Sequence, residues 1–585
     1  MVTNKYITRI ASVIMAAAVI LCLMASLFSD KLQEVYGNNA VTMKYESKLF
    51  NTDQIMDIDI LMDEDDWNNM LENAISEEYY SCNVVVNGKT FYSVGIRPKG
   101  NTSLSSIAND PDTDRYSFKL EFDHYIEGQT CYGLDKLILN NNYADATNMK
   151  EAIVYDMYQY LGVDASLYNY AKISVNGDYR GVYLALEAVE DSFMLRNYGT
   201  EDGNLYKPES MGIGGGVDGN GFPQKGEMPD GEDFPQKGEM PDGADFPQKG
   251  EMPDGEDFPQ KGEMPDGEDF PQMGEAPNGE AADIKMGIMG GNGGADLNYT
   301  DDDLDSYSTI WDGEITDSDK KDHKRVVEAL KNISEGTDLE TYMDVDNILK
   351  YMAVHTFVVN DDSLSGTMAH NYYLYEYNGK LNILPWDYNL SFGGMSMGGG
   401  MGGQSSGATS VINDAIDTPF SITSFFDALL ENEEYLEQYH EYLNELVEKY
   451  VNGGEFEKTY ERIRSQIDDL VGNDPTAFYS YEEYEEAANM LIEVVQLRVK
   501  SVSGQLAGTI PSTDEGQLQD SSNLIDGSDI DLSVMGSFSG GGGGNEGQGK
   551  DNGFAGTPQP FDAGDVSPIS EEKADLQDSN QDSVK

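Results

Sequence analysis

The chain has 585 residues, with 37 Lys and Arg against 106 Asp and Glu and a formal net charge of −69. Such an excess repels phosphate backbones and anionic membrane surfaces, which argues against nucleic acid as a partner and for divalent cations, basic proteins or cationic cell-wall material. The length allows three or four average domains, but the composition is too uneven along the chain for that division.

Residues 1–29 are the first segment. Lys5 and Arg9 precede nineteen uncharged residues, Ile10 to Phe28, a length that just spans a bilayer with the N-terminus in the cytoplasm. A cleaved signal peptide fits as well, because Ala25 to Ser29 offers small residues near a cut. Cys22 lacks the small preceding residue of a lipoprotein site. Both readings, anchored or secreted, put residues 30–585 outside the cytoplasm, with the membrane contact made by the N-terminal helix if it is retained. Cys82 and Cys131 are either a disulfide in that oxidising setting or two buried thiols.

Residues 45–210 read as a mixed, strand-rich region. Asn87-Gly88 joins Cys82–Val86 to Phe91–Ile96, and Asn176-Gly177 joins Ala171–Val175 to Tyr183–Leu186; Asn-Gly accepts the positive φ angles of a two-residue hairpin turn. Between them, Ile153, Met157 and Leu161 mark the apolar stripe of a helix over 145–161, with Asp145 or Thr147 as its cap. Residues 211–295 break the pattern. Phe222, Phe234, Phe246, Phe258 and Phe270 each open a copy or near copy of a twelve-residue unit, Phe-Pro-Gln-Lys-Gly-Glu-Met-Pro-Asp-Gly-Glu-Asp. Two Pro, two Gly and four acids against one Lys per full unit leave nothing to pack, so the insertion is expected to be extended and disordered. A calcium-binding repeat is the sharper alternative, against which stands the lack of densely alternating acids.

Over 296–507, helices are expected at 317–333 and 344–358, then a hairpin around Asn378-Gly379, a Gly/Met/Ser loop at 393–407, and helices including 434–450, 455–471 and 481–502. His355 continues the second helix and reads as a satisfied core or helix-end histidine rather than a metal ligand. Residues 508–585, without Trp or Tyr and rich in Ser, Asp and Gly, read as a disordered tail. The fold class is α+β: one unit divided by an insertion, hairpin-rich in its N-terminal part and helical in its C-terminal part.

Four places carry residues suited to chemistry. Asn371 and Asp387 flank the Asn378-Gly379 hairpin, with Asp361-Asp362 upstream; phosphoryl transfer needs one carboxylate to orient a hydroxyl and an Asn and an Asp to hold magnesium. Solvated turn acids on an ordinary hairpin are the plainer reading. Ile96-Arg97-Pro-Lys99-Gly100-Asn101 gathers two cations and a Gly after a strand, either a phosphate cradle or a structural turn. Lys119 lies on the opposite face of its strand from Phe118, Leu120 and Phe122, either solvated or available to phosphate. Glu151 sits in a first helical turn, either a helix-dipole partner or an ion-pair partner that orients a strand lysine.

The ordered blocks Ile96-Arg-Pro-Lys-Gly-Asn-Thr-Ser103, Ser117-Phe-Lys-Leu120, Leu139-Asn-Asn-Asn-Tyr-Ala-Asp145, Lys150-Glu-Ala152, Val175-Asn-Gly-Asp-Tyr-Arg-Gly-Val-Tyr-Leu-Ala-Leu-Glu187, Asn204-Leu-Tyr-Lys207, Asn360-Asp-Asp-Ser363, His370-Asn-Tyr-Tyr-Leu-Tyr375 and Leu384-Pro-Trp-Asp-Tyr-Asn389 resemble the spore coat protein H (CotH) kinase family, from roughly residue 57 to 502. The resemblance implies an atypical protein kinase-like fold that uses ATP with magnesium, or manganese, to phosphorylate protein serines. It also implies a place at the cell surface or spore coat. By the same resemblance Lys119 would contact the nucleotide phosphates, Glu151 would position it, and Arg97 and Lys99 would add to the cradle. Asp362, with Asp361 as second choice, would orient the substrate hydroxyl. Asp387 and Asn371 would hold magnesium, and Trp386 would lie near the nucleotide. Asn389 stands where many relatives carry a second acid; its amide could still ligate magnesium, but the metal site would lose one negative charge. Arg-Pro-Lys-Gly also replaces the commoner Arg-Gly of the first block. The expected substrate is a protein with exposed serines, including this chain's own Ser521, Ser528 and Ser537. The alternative is a non-catalytic surface or spore-coat adhesion protein on the same fold.

Overall fold

Apolar residues alternate along each strand of the N-terminal half, and in the computed structural model that alternation closes a barrel rather than leaving an open set of hairpins. The structure describes residues 40–208, 293–366, 368–395, 407–420 and 422–536. The apolar run 10–28, the twelve-residue repeats and the chain beyond 536 lie outside these, as does most of the 393–407 loop. Among the described residues no helix is long and apolar enough to cross a membrane.

The strands are β1 (Met56–Leu61), β2 (Tyr80–Val86), β3 (Lys89–Lys99), β4 (Ser117–Glu121), β5 (Lys136–Asn140), β6 (Tyr168–Val175) and β7 (Asp178–Glu187). Their order around the barrel is β1-β2-β3-β4-β5-β7-β6. Every pair is antiparallel except β1 with β6, where Met56 lies opposite Ala171 and closes the ring. Both expected hairpins form, with Asn87 at φ 49° and Asn176 at φ 54°. Ile58, Val84, Ile96, Phe118, Leu120, Leu137, Leu139 and Ile173 fill the interior. The alternate residues Ile138, Tyr168, Tyr170, Leu184 and Leu186 face outward and join the second core, built with the helices.

That second core begins with α1 (Lys150–Leu161). The Asp145 carboxylate accepts from the Lys150 N–H at 3.0 Å and the Thr147 N–H at 3.0 Å, so it caps from a distance and the helix starts later than its polar signals suggest. The C-terminal half adds α2 (Lys320–Ser334), α3 (Val345–Val358), α4 (Glu433–Glu445, continued by a π turn to Val451), α5 (Glu455–Gly472) and α6 (Tyr481–Leu506). A three-stranded sheet lies beside them in the order β10-β9-β8: β8 (Asn204–Tyr206), β9 (Tyr372–Tyr377) and β10 (Lys380–Pro385). Cys82 and Cys131 are both free and buried, so the disulfide alternative falls.

One expectation is corrected at the C-terminus. Residues 508–536 do not behave as a tail: a short helix, Asp514–Gln519, and a 3-10 turn, Leu532–Met535, lie on the domain. Asn413 and Ile525 exchange two hydrogen bonds of 2.8 Å, and Met535 is buried with its carbonyl accepting from the Ala146 N–H at 3.1 Å. A short polar segment can fold when it borrows a core already built, which composition alone does not register. Ser521 and Ser528 are therefore exposed on an ordered strap, while Ser537 lies outside the described residues.

Arg115 fastens the barrel to the helical half. Its guanidinium meets Asp474 at 2.7 Å with both side chains only 2% exposed, and it also donates to the carbonyls of Val182 (2.6 Å) and Asn141 (3.0 Å). Removing one member of a buried pair strands the other charge, which costs about 3–5 kcal/mol. Asp474→Ala is accordingly expected to lower unfolding free energy by about that amount in urea titration, whereas Arg462→Ala, at a half-buried pair with Asp156, should cost about 1 kcal/mol or less.

Candidate active site

The outer face of β3, β4 and β5 near α1 gathers the polar residues. Because Pro98 pairs with Phe118 and Lys99 with Ser117, Phe118 points into the barrel and Lys99 points out, at the last residue of β3. Its Nζ donates to Asn140 Oδ1 at 3.3 Å, and Asn140 Nδ2 donates to Glu151 Oε2 at 2.9 Å. Asn140 thus bridges the lysine of a strand to the glutamate of α1. Glu151 Oε1 is buried without a hydrogen-bond partner among the described residues. Lys99 also lies 5.6 Å over the Trp386 ring, which meets Tyr373 edge to face at 5.4 Å.

The hairpin β9–β10 brings in the rest. Tyr372 pairs with Pro385, so Asn371 and Asp387 both sit at the open end of the hairpin, at φ 57° and 60°. Asn and Asp tolerate this left-handed region better than most residues. The Asn371 amide donates to Asp362 twice, to its carbonyl at 2.8 Å and to Oδ2 at 2.9 Å. His370 Nε2 meets Asp362 Oδ1 at 2.8 Å. The Asp362 carboxylate is therefore gripped on both oxygens while only 9% exposed.

The electrostatics tie these pieces together. Burial, then the charge of Asp387, pushes the Glu151 carboxyl well above its ordinary range. Burial likewise raises Asp387, opposed first by Lys99 and reinforced by Asp362, while Lys207 and His370 also act on it. Lys99 is lowered by burial, with Asp387 as the chief opposing influence. Mutually repelling carboxylates with a bare oxygen and a fixed amide suit a divalent cation, which would relieve the repulsion. Among the described residues no group of three or more His, Cys, Asp and Glu forms a ready-made cage.

Several expected residues fall elsewhere. Lys119 is opposite Arg97, not Lys99, and its ammonium is held with that of Lys136 by the Glu190 carboxylate. It does not join the Glu151 and Asp387 cluster; alternation names the face of a strand but not which end meets the helices. Arg97 is on the same face but pairs with Glu77, and its guanidinium lies 5.4 Å over the Tyr79 ring. Asp361 is exposed at its surface, whereas Asp362 is buried against His370 and Asn371. Asn389 Nδ2 donates to the Tyr143 carbonyl at 2.8 Å, so its first use is to fasten the 142–148 loop, and only its amide oxygen is available for a cation.

Asn140, His370 and Lys207 were within the sequence blocks without a role. Lys207 follows β8 and lies 6.0 Å over the Tyr373 ring. The available signal was scarcity: a Lys closing an Asn-Leu-Tyr-Lys block in a chain so poor in cations.

A strand lysine facing clustered carboxylates, with a second buried Asp held by an amide and an imidazole beside them, is an arrangement able to hold phosphate oxygens and a divalent cation together. Residues 96–502, more than half of the chain, match the family described as CotH kinase protein, and the chain belongs to that family. No curated protein matches it. Asn140→Ala would remove the side-chain hydrogen bond to the buried Glu151 carboxylate and the link from it to Lys99. We expect a loss of about 1–3 kcal/mol, read as a lower unfolding midpoint, with the far-UV spectrum unchanged.

Proposed function

We propose that the chain transfers the γ-phosphoryl group of ATP to serine hydroxyls of proteins, at a site built from Lys99, Glu151, Asp362, Asn371 and Asp387. The observation that carries this is the Lys99–Asn140–Glu151 bridge standing beside Asp387, the carboxylate whose charge acts on both ends of the bridge. Family membership supports it. Lys99 takes the role first given to Lys119: a compact cation on a rigid strand end, aimed at phosphate oxygens. Asp362, with both oxygens oriented by His370 and Asn371, accepts the hydrogen bond of the incoming serine hydroxyl and aligns it for in-line attack. Trp386, already beneath the Lys99 ammonium, offers an apolar wall beside the phosphates. Asp387, the Asn371 amide oxygen and the bare Glu151 oxygen are the groups that would hold magnesium or manganese, which supplies neutralisation of phosphate charge when bound.

The same reading places the body outside the cytoplasm, held by the N-terminal apolar segment, with surface or coat proteins as substrates. It rests on the charge pattern of residues 1–29 and on the family's association with the spore coat.

Incubation with labelled ATP and magnesium or manganese tests the activity. Asp387→Ala is expected to reduce phosphate incorporation at least about a hundredfold; equal labelling of the variant would refute the assignment. Lys99→Ala is expected to weaken nucleotide binding about tenfold or more, and Lys119→Ala less than about twofold, by titration calorimetry. A protein that binds no nucleotide at any metal concentration would instead be an adhesion module on this fold.

A further inference from the structure

Beneath the site runs a series of buried hydrogen bonds whose direction can be deduced link by link. The Ser365 hydroxyl lies 2.9 Å from the Asn360 carbonyl oxygen. A carbonyl only accepts, so the single hydroxyl proton of Ser365 goes there. His355 Nε2 is 2.8 Å from the same Ser365 oxygen and must therefore donate to it. His355 is 1% exposed, and burial pushes its basicity down to about 3, so the ring is neutral and carries one N–H. Nδ1 is then an acceptor, and the Tyr388 hydroxyl, 3.0 Å away, donates to it. With that proton committed, Tyr388 accepts from the Tyr158 hydroxyl at 2.6 Å.

The resulting chain, Tyr158 to Tyr388 to His355 to Ser365 to Asn360, has every donor pointing the same way. It joins three segments that supply the site. Tyr158 lies on α1 with Glu151, Tyr388 follows Asp387, and Asn360 precedes Asp361-Asp362. Ring contacts fix the imidazole plane, with Tyr351 at 5.4 Å and Phe420 at 5.2 Å. The Asn360 amide is buried and finds no partner among the described residues, so its carbonyl bond matters more to the position of the turn.

We infer that His355 is a positioning residue: as the neutral Nε2–H tautomer it locks the Asn360–Asp362 turn to the Asp387–Tyr388 exit and to the helix bearing Glu151. Its effect on turnover rests on the phosphotransfer reading above; its tautomer rests on the hydrogen-bond geometry together with the burial that keeps the ring neutral. The ring touches no reacting group. It acts through the carbonyl of Asn360 and the hydroxyl of Tyr388.

The test uses the full chain in two measurements. In nitrogen-15 spectra of histidine-labelled protein, His355 should show a protonated Nε2 and a bare Nδ1, unchanged between pH 5 and 8. A protonated Nδ1, or titration in that range, overturns the inference. In steady-state phosphotransfer, His355→Phe keeps the ring contacts but breaks the chain; kcat should fall about tenfold or more while KM for ATP stays within about twofold. Ser365→Ala should act in the same sense, and the double variant should be little worse than His355→Phe alone, because both cut one series. A folded His355→Phe protein with wild-type kcat overturns the role. Should His355→Phe lose its folded spectrum, Ser365→Ala, at a half-buried position, carries the kinetic test alone. If the wild-type chain transfers no phosphate, the kinase reading falls, the positioning role falls with it, and the spectra still decide the tautomer.

Discussion

The Lys99 ammonium set among repelling carboxylates is the constraint on which the site depends. Lys99 stands at the end of a barrel strand, Glu151 on a helix of the other half, and the neutral amide of Asn140 spans them. A direct lysine–glutamate pair would satisfy both groups and leave little for a ligand. An intervening amide holds the two in register and leaves one glutamate oxygen without a hydrogen-bond partner among the described residues. The cost of keeping such groups dry is met by the fold around them: the closed barrel on one side, the α1 and α3 core on the other, and the buried Arg115–Asp474 pair between barrel and helices.

The hairpin carrying Asn371 and Asp387 shows how local chemistry can place distant groups. Its Asn378-Gly379 turn sets the register, with Asn378 at φ 55°. The register then puts the two polar residues side by side at the far end. Both adopt positive φ, so neither side chain follows the strand direction, and each is turned toward the groups facing the hairpin. Asn389, two residues on, is drawn to Tyr143 instead. An amide in that place serves the architecture well, since a carboxylate could not donate to a carbonyl.

Much of this was legible in the residues. The three Asn-Gly turns, the amphipathic helices and the polar ends of the central hairpin are short-range signals, and each appears where its chemistry puts it. Ring closure was not legible, because β1 and β6 pair across more than a hundred intervening residues and side-chain periodicity names a face, never a partner. The same limit applies to the strand lysines. Lys99 and Lys119 share an outward face, and only the three-dimensional approach of α1 distinguishes the strand end at Lys99 from the position that belongs to Glu190. His370 and Asn140 escaped notice for a related reason: a residue that holds another in place has no pattern of its own until its neighbour is known.

The strap after the long C-terminal helix has an implication for how the molecule is laid out. The family match ends at 502, yet the ordered body continues to Gly536, which rests against Ala144 and Ala146 on the loop that Asn389 fastens. The described body therefore ends back at the loop before α1 and not at the far end of α6, so a chain cut at 502 would lose contacts that the folded domain itself uses.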